Sequence, residues 1–518
     1  MFPSDTDLET KFTFETASQP LPDEPPFQIL LLGDWSGREN RVLSEIFQSK
    51  PLAIDRDSFD KVFSKLNVRL DLDVSLDGNK TLSLEFDELD DFHPDKIFQQ
   101  VSLFSDLRDI RRQLLNENTF NEAAGEVRSW FNENQFSESS GSEISENEEP
   151  VVQNETTPDN SGNLLDSILN QSSGGKSSKP SQTTHSSELS RFVNKIVKSH
   201  IVQTDENEQA RLLNFVDETT SDLMRSILHH PKFQELESAW RGVYLLVRKI
   251  ETDVDLKIFL LDLTKAELVS NLKSVNNLAD TDLYKWLIKD TIETPGGEPW
   301  SVVCGNFTFN LNVNDVAALI RLGKLSEIAG APFISHISPE MFGISSIASA
   351  HSYSDWNISE DSTENKLWKT LRSLPESKFL GLVMPRFLSR LPYGKDTDPT
   401  ETFSFEEFKE ISEHDNYLWS NPSFVCGLLL AQTYRKCGWD MSQGFQLSLS
   451  DLPTHIFQDD GETKTKPCAE ILMTETIFQK LLDEGLMPLI SFKNTDRVQL
   501  GRFQSISSPI RGLSGRWR

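Results

Sequence analysis

Three segments in the first 135 residues carry the apolar pattern of β-strands. Residues 28–32 read QILLL, a continuous apolar run that ends at Gly33 and predicts a strand buried on both faces. Residues 68–76 alternate apolar and polar side chains, and the alternation resumes at residues 82–86 after an Asp77-Gly78 turn. The two alternating segments therefore predict a β-hairpin with one buried face.

Two helices are predicted in the same block. Residues 55–63 place acidic side chains in a first helical turn and apolar ones after it. Pro94 is suited to open a second helix, because a first-turn residue needs no N–H for the helix. The buried side of that second helix carries Ile97, Val101, Phe104 and Leu107. We expect the core of this block to include Leu30, Leu32, Val74 and Phe86.

Residues 188–518 alternate helical and strand patterns. Helices are predicted at 192–237 and 315–327. Short apolar runs that predict strands lie at 256–263, 301–311, 332–337 and 379–384. This order predicts an α/β fold, with mixed sheets flanked by helices.

A composition shift separates the two folded blocks, residues 1–135 and 188–518. Residues 136–187 are rich in Ser, Glu, Asn, Thr and Gly and nearly free of aromatics, so they predict a disordered, acidic and Ser-rich linker. One island, residues 163–169, places apolar side chains on one helical face. These are Leu164, Leu165, Ile168 and Leu169. The island is either a chance apolar cluster or a linear docking motif.

Composition narrows the possible functions of the chain. Its 518 residues suggest more than one domain, and its formal charge of −29 repels phosphate backbones and anionic lipids. We therefore expect no nucleic-acid partner, and the short apolar runs predict no membrane insertion. The four cysteines form no CxxC pair, and residues 1–12 lack the pattern of a signal peptide. A cytoplasmic location fits these features best.

No catalytic, metal or cofactor site is predicted. His414-Asp415 could suggest a general base and its orienting carboxylate, but adjacent side chains seldom point at each other. His229-His230 has no further ligands at metal-binding spacing. Gly175-Lys176-Ser177 lacks the first glycine of a phosphate-binding loop, and residues 294–299 are typical of a tight turn. We expect the protein not to be an enzyme.

Six collinear segments make the second block similar to the large sheath subunit of bacterial type VI secretion systems, the TssC/VipB family. The most recognisable is ILHHPKFQELESAWRG at residues 227–242. The others lie at 294–309, 331–343, 379–394, 414–439 and 484–506. Large subunits of this family continue into a further helical domain of about a hundred residues, which the resemblance does not find here. Its absence would put ordinary polymerisation in doubt.

The first block resembles the small sheath subunit, the TssB/VipA family. The matching residues lie within 26–110 and include PFQILLLGDWSGR at 26–38, IDRDSFD at 54–60 and LDDFHP at 89–94. The island at 163–169 resembles a helix near the start of large subunits on which a ClpV-type unfoldase docks. The resemblance carries this role to Leu164, Leu165, Asp166, Ile168 and Leu169.

These resemblances imply a structural component of a contractile injection apparatus, similar to both sheath subunits fused in one chain. The implied partners are the protein itself or other sheath subunits, and also an inner tube, a baseplate and a ClpV-type unfoldase. One alternative is an accessory adaptor that binds sheath, baseplate or unfoldase without polymerising. The other is an enzyme whose site is not recognised.

The resemblance also predicts how the halves interact. Each block resembles one half of an obligate pair, so the two blocks should pack on each other. Trp240 and Arg241 lie in the most recognisable segment, on a helix that also carries Phe233 and Leu236. We expect both residues to be structural and Trp240 to be buried.

Overall fold

The computed structural model describes residues 24–40, 50–73, 81–136, 208–349, 356, 361–409, 414–441, 444–459 and 461–517. The described residues fall into two compact units, Phe98–Met224 and the combination of Met1–Ile97 with Arg225–Arg518. The larger unit thus combines residues from both ends of the chain. The predicted linker and the island at 163–169 lie outside the described residues.

The elements are numbered in chain order. The strands are β1 Phe27–Gly33, β2 Leu52–Ile54, β3 Val68–Asp73, β4 Thr81–Phe86, β5 Leu256–Asp262, β6 Val302–Phe309, β7 Phe333–Ile337, β8 Leu380–Met384, β9 Phe387–Leu388, β10 Trp419–Ser420, β11 Ser448–Leu449, β12 Ile456–Asp459, β13 Glu462–Thr465, β14 Met487–Ser491 and β15 Val498–Leu500. The α-helices are α1 Phe59–Lys65, α2 Pro94–Gln100, α3 Ser102–Leu115, α4 Phe120–Phe136, α5 Glu208–Leu228, α6 Pro231–Lys249, α7 Lys265–Lys273, α8 Asp282–Tyr284, α9 Val313–Ala329, α10 Thr363–Ser373, α11 Ser423–Cys437 and α12 Glu475–Asp483.

A nine-stranded sheet organises the larger unit, in the order β11-β15-β14-β8-β7-β6-β1-β5-β2. The six strands from β14 to β5 run parallel, whereas β2, β15 and β11 pair antiparallel at the two ends. All seven residues of β1 are buried, as expected of a parallel strand covered on both faces. The predicted mixed α/β fold is confirmed.

The side chains of β1 alternate between two apolar layers. Leu30 and Leu32 join a buried cluster with residues of α7, α9, α10 and α12. Ile29 faces the other side, toward α11, where its Cγ2 lies 3.8 Å from the position a Cβ would take at Gly427. The core that the sequence assigns to the first block is therefore shared with the second block.

Most strand predictions agree with the structure. The continuous run at residues 28–32 forms β1, and the alternating segments form the antiparallel pair β3–β4. Val74 and the Asp77-Gly78 turn lie outside the described residues. Phe86 is buried, as expected.

Two helix predictions need correction. The helix that opens at Pro94 ends at Gln100, and α3 starts at Ser102, because Val101 has an extended backbone at ψ 121°. Helix α1 starts at Phe59 rather than in the Asp55 turn, because Asp55 Oδ1 accepts a hydrogen bond from Ser58 N at 2.7 Å and closes a separate turn there.

Helices of both segments also meet in the smaller unit. Arg111 of α3 donates two hydrogen bonds to the carboxylate of Asp217 on α5, and Arg128 of α4 pairs with Glu208 at the start of α5. Trp130 of α4 packs near Phe215, with ring centroids 6.4 Å apart. The smaller unit is thus also built from residues on both sides of the predicted linker.

Candidate functional site

The candidate functional site is the junction between the N-terminal and C-terminal segments in the larger unit, where strand pairing, aromatic contacts and hydrogen bonds join the two segments. Its centre is β1, which pairs with β5 from Phe27 opposite Leu256 to Gly33 opposite Asp262. On its other side β1 pairs with β6, from Ile29 opposite Val302 to Leu32 opposite Gly305. The N-terminal segment therefore supplies an internal strand of a sheet whose other parallel strands are C-terminal.

An aromatic cluster fixes α6 to the N-terminal segment. Trp240 is fully buried, and its Nε1 donates a hydrogen bond to the backbone oxygen of Trp35 at 2.8 Å. The Trp240 ring lies 4.3 Å from that of Phe63 and 5.7 Å from that of Phe59, between centroids. Two turns earlier on α6, Phe233 packs against Phe92, with ring centroids 5.6 Å apart. The expected burial of Trp240 is confirmed, and its neighbours come from the other segment.

The loop after β1 is held by two carboxylates. Asp262, at the end of β5, accepts hydrogen bonds from Trp35 N at 2.8 Å and from Ser36 Oγ at 2.7 Å. Asp34 accepts from the backbone N–H of Arg38 and Glu39. Burial and the nearby Asp262 raise the pKa of Asp34 to about 6. The loop thus keeps a carboxyl group that titrates near neutral pH.

Gly37 in this loop cannot be replaced without strain. Its φ of +72° is rarely adopted by other residues, and a Cβ there would lie 2.3 Å from the backbone oxygen of Arg69 in β3. The motif GDWSGR, which carries the small-subunit resemblance, is therefore the turn that brings β1 to β3 and α6.

A buried network of ion pairs joins α6 to the segment that follows β9. Arg390 is fully enclosed between Glu237 of α6, at 2.7 Å from Nε, and Glu407, at 2.7 Å from Nη1. Arg241 donates to Glu237 at 2.7 Å and to the Tyr393 hydroxyl at 3.0 Å. Two guanidinium groups thus balance two carboxylates, as a buried charged cluster requires.

The network sets the pKa values of its members. Burial alone would raise the pKa of Glu407, but Arg390 and His229 outweigh it and hold that pKa at about 2. Burial lowers the pKa of Arg390, but the carboxylates of Glu237 and Glu407 raise it more. The net pKa lies well above its usual value. Glu407 and Arg390 therefore both stay charged at neutral pH. Arg241 is bonded to Glu237 and Tyr393 of the same network, which agrees with the structural role expected for it.

The segment after β9 also contacts the N-terminal segment directly. Asp95, in the first turn of α2, accepts hydrogen bonds from the backbone N–H of Glu401 at 2.8 Å and of Thr402 at 3.0 Å. The ring of His93 packs edge-on against Tyr393, with centroids 5.0 Å apart. The LDDFHP motif of the first block is therefore one wall of the same junction.

A cleft opens at the carboxyl ends of the parallel strands, with a volume of about 330 Å³. Its lining includes Asp34, Lys265, His336, Arg386 and Asn421. His336 is buried, and its Nδ1 lies 3.0 Å from Thr308 Oγ1. Burial and the neighbouring Arg386 lower the pKa of His336 to about 3, so its imidazole is neutral at neutral pH.

The candidate catalytic and metal residues have other contacts. The His414 ring contacts Lys466 and Glu470, whereas Asp415 is exposed. His229 Nε2 lies 3.4 Å from Glu407, and His230 caps α6 by accepting from Lys232 N. Within the described ranges, no group of three or more His, Cys, Asp or Glu side chains is arranged to hold a metal ion. The tight turn at residues 294–299 is closed by Gly297 N donating to Thr294 O at 2.9 Å.

Other predicted residues cannot be compared with the structure. The docking residues Leu164, Leu165, Asp166, Ile168 and Leu169, and the segment Gly175-Lys176-Ser177, lie outside the described residues. No helix in the part of the chain that the structure describes is both long and apolar enough to cross a membrane.

Comparison with known proteins assigns the same two segments to two families. Residues 210–507 match the family described as EvpB/VC_A0108, tail sheath N-terminal domain (VipB). Residues 8–129 match the family described as type VI secretion system, VipA, VC_A0107 or Hcp2. The two matches do not overlap, and each covers one side of the junction.

Two proteins of Pseudomonas aeruginosa are similar to parts of the chain. The type VI secretion system sheath protein TssC1 is 35% identical over 289 residues, which are 55% of this chain and 58% of that protein. The sheath protein TssB1 is 28% identical over 99 residues, 18% of this chain and 58% of that protein. The chain thus spans somewhat more than half the length of each relative. Because the first family match alone covers more than half of the chain, this protein belongs to the VipB tail sheath family.

Proposed function

We propose that the chain is a structural component of a type VI secretion-like contractile injection apparatus, a sheath protomer in which both subunit types are one polypeptide. The observation that carries the proposal is β1, the N-terminal strand enclosed between β5 and β6 of the C-terminal segment. A strand in this position cannot be a loosely attached accessory. The two family-like segments therefore share a core within the larger unit.

Fusion of the two segments has a physical consequence. It fixes their ratio at one to one, and a tether that spans the sites replaces bimolecular association with an effective concentration on the order of millimolar. The buried ion pairs and aromatic contacts of the junction favour a permanent association rather than a transient one.

The proposed role is mechanical rather than catalytic, and the proposed location is the cytoplasm. The proposed partners are further copies of this chain or other sheath subunits, together with an inner tube and a baseplate. The two histidines considered as metal ligands have structural contacts: His229 lies beside Glu407, and His230 caps the start of α6. This use of the histidines supports a structural role.

Electron microscopy of the purified chain tests the assembly proposal. We expect filaments or tubes with a regular axial repeat, either from the chain alone or after addition of a purified inner-tube protein. Gly37→Val serves as a negative control, because its side chain would clash with the backbone of Arg69 and disrupt the turn between β1 and β3. This variant should lose both the folded junction and the assembly. A protein that stays monomeric under all these conditions, with wild-type circular dichroism, would contradict the proposal.

We further propose that residues 163–169 dock on the N-terminal domain of a ClpV-type unfoldase, with Leu165 and Ile168 as the two anchors. The support is an apolar helical stripe within a polar segment, the pattern of helix-in-groove recognition. A peptide of residues 158–175 should bind that domain, and the double change Leu165→Asp and Ile168→Asp should abolish binding. A matched control is Ser167→Asp, which adds charge off the stripe. Equal binding of wild type and the double variant would refute the docking role.

A further inference from the structure

A lysine, a histidine and a glutamate lie one after another beside β13. Lys466 directly follows that strand, and its Nζ lies 3.0 Å from His414 Nδ1. The His414 ring is fixed by stacking on Trp419, with centroids 4.8 Å apart, and Trp419 Nε1 donates to the His414 backbone oxygen at 2.9 Å. The imidazole is therefore held in one place with one nitrogen facing the amine.

The other imidazole nitrogen faces a fixed carboxylate. His414 Nε2 lies 3.5 Å from Glu470 Oε1, and the Glu470 side chain is 5% exposed. Arg386 holds this carboxylate through its backbone N–H at 2.8 Å and its Nε at 3.0 Å. Burial would raise the pKa of Glu470, but Arg386 and His414 outweigh it and keep the pKa far below its usual value. A lysine ammonium only donates, so His414 Nδ1 accepts from Lys466 at 3.0 Å and Nε2 carries the imidazole proton.

The lysine amine sits in an aromatic corner and is partly exposed. Its Nζ lies 4.7 Å from the Tyr417 ring centroid and 5.8 Å from that of Trp419. Burial lowers the pKa of Lys466, and the attraction of Glu470 and Asp415 only partly opposes this. The titratable and charged groups around the amine are His414, Asp415, Tyr417, His455, Glu470 and, behind Glu470, Arg386.

We propose that Lys466 is a site of covalent acylation by small acyl phosphates, with His414 as the base that receives the proton of the amine. His414 Nδ1 first takes one proton of the Lys466 ammonium, which frees the Nζ lone pair to attack the carbonyl carbon of the acyl phosphate and form the C–N bond. The C–O bond to phosphate breaks, and phosphate leaves with its electron pair and takes up the second proton of the amine. The Glu470 carboxylate stabilises the imidazolium until buffer removes its proton. Acylation removes the positive charge that lies over the Tyr417 and Trp419 rings.

The internal control for this proposal is Lys464, an exposed lysine two residues away on β13. The full chain is treated with acetyl phosphate at pH 7.5, and acetylation at each lysine is followed by peptide mass spectrometry. Positioned bases accelerate proton transfers by about 10²–10⁴-fold in enzymes, so we expect Lys466 to react at least about tenfold faster than Lys464. His414→Gln should reduce the rate at Lys466 to that at Lys464. Asp415→Asn, which changes the adjacent side chain, should not reduce it.

Near-ultraviolet circular dichroism shows whether the His414→Gln protein keeps its fold. An undiminished rate at Lys466 in the folded variant overturns the proposal, as does a wild-type rate no greater than at Lys464. If the variant does not fold, the wild-type pH profile decides. The rate at Lys466 should level off at a lower pH than the rate at Lys464, and parallel profiles would overturn the proposal.

Discussion

At the scale of single residues, Trp240 carries the clearest link between the two segments. Truncating this fully buried side chain to Ala leaves a large cavity against Phe59 and Phe63 and removes the hydrogen bond to Trp35. We expect Trp240→Ala to lower the free energy of unfolding by about 3–5 kcal/mol in chemical denaturation. Trp240→Phe keeps most of the ring and loses the N–H, so it should cost less. If the stability of Trp240→Ala equals that of wild type within error, the packing of Trp240 against Phe59 and Phe63 does not link the two segments.

His336 makes stability depend on acidity. Its pKa is about 3 in the folded protein and near 6.5 when unfolded, so only the unfolded state takes up a proton between these values. The stability that His336 contributes is complete above pH 6.5 and declines as the pH falls toward 3. At pH 5 the loss amounts to about 2 kcal/mol, and His336→Gln should remove this part of the slope in denaturation measured from pH 7.5 to pH 5.

Asp34 provides a control of opposite sign. Its folded pKa of about 6 exceeds the ordinary value of 3.8, so its contribution is complete below pH 3.8 and lost as the pH rises through 6. As the pH falls, the contribution of Asp34 to the stability of the protein therefore increases, whereas that of His336 decreases. Asp34→Asn should steepen the net acid loss, whereas His336→Gln should flatten it. The same slope in all three proteins would be incompatible with both assignments.

Sequence reasoning identified some of these residues but not their partners. The apolar spacing of Phe233, Leu236 and Trp240 on a helix predicts burial of Trp240. The backbone oxygen that Trp240 binds belongs to Trp35, which is 205 positions away. No local pattern specifies such a contact, and the same holds for the lone pair of His414 that faces Lys466.

At the scale of elements, the buried network defines how α6 meets the segment after β9. Glu407→Gln removes one of the two negative charges beside Arg390, and breaking a buried pair typically costs about 3–5 kcal/mol. Because the pKa of Glu407 is about 2, against an ordinary value of 4.5, its contribution is present above pH 4.5 and is lost as the pH falls toward 2. The variant should therefore differ most from wild type near neutral pH.

Glu401→Gln is the matched control for the network. Glu401 is an exposed residue of the same segment whose backbone N–H, not its side chain, bonds Asp95. Thermal unfolding should show a larger deficit for Glu407→Gln at pH 7 than at pH 3, and almost none for Glu401→Gln at either pH. Equal deficits in the two variants would mean that the network adds nothing beyond surface charge.

Periodicity located seven of the fifteen strands in the described residues but could not order them. The apolar runs that predict β1, β5, β6, β7 and β8 are largely buried in the structure, where they pair in parallel. Sheet order depends on pairings between strands that are hundreds of residues apart. The position of β1 between β5 and β6 therefore required the structure, although the resemblance to an obligate pair predicted that the blocks pack together.

At the scale of the whole molecule, the segments joined by residues 137–207 are expected to stay associated when that connection is cut. Removing β1 from the sheet would expose its seven buried residues and leave the backbone groups of β5 and β6 unpaired. After limited proteolysis within residues 137–207, both fragments should elute together in gel filtration under native conditions. They should separate only in denaturant.

Two charge insertions test whether β1 provides this association. Leu31→Asp places a carboxylate in a fully buried position of β1, where no partner can satisfy it, and should let the cut fragments separate. Val254→Asp adds the same charge at a residue that is 76% exposed and should leave them together. Separation of the cut wild-type protein into two stable monomers would instead mean that each segment holds a core of its own. In that case the shared core around β1 could not be what unites the two sheath-like halves.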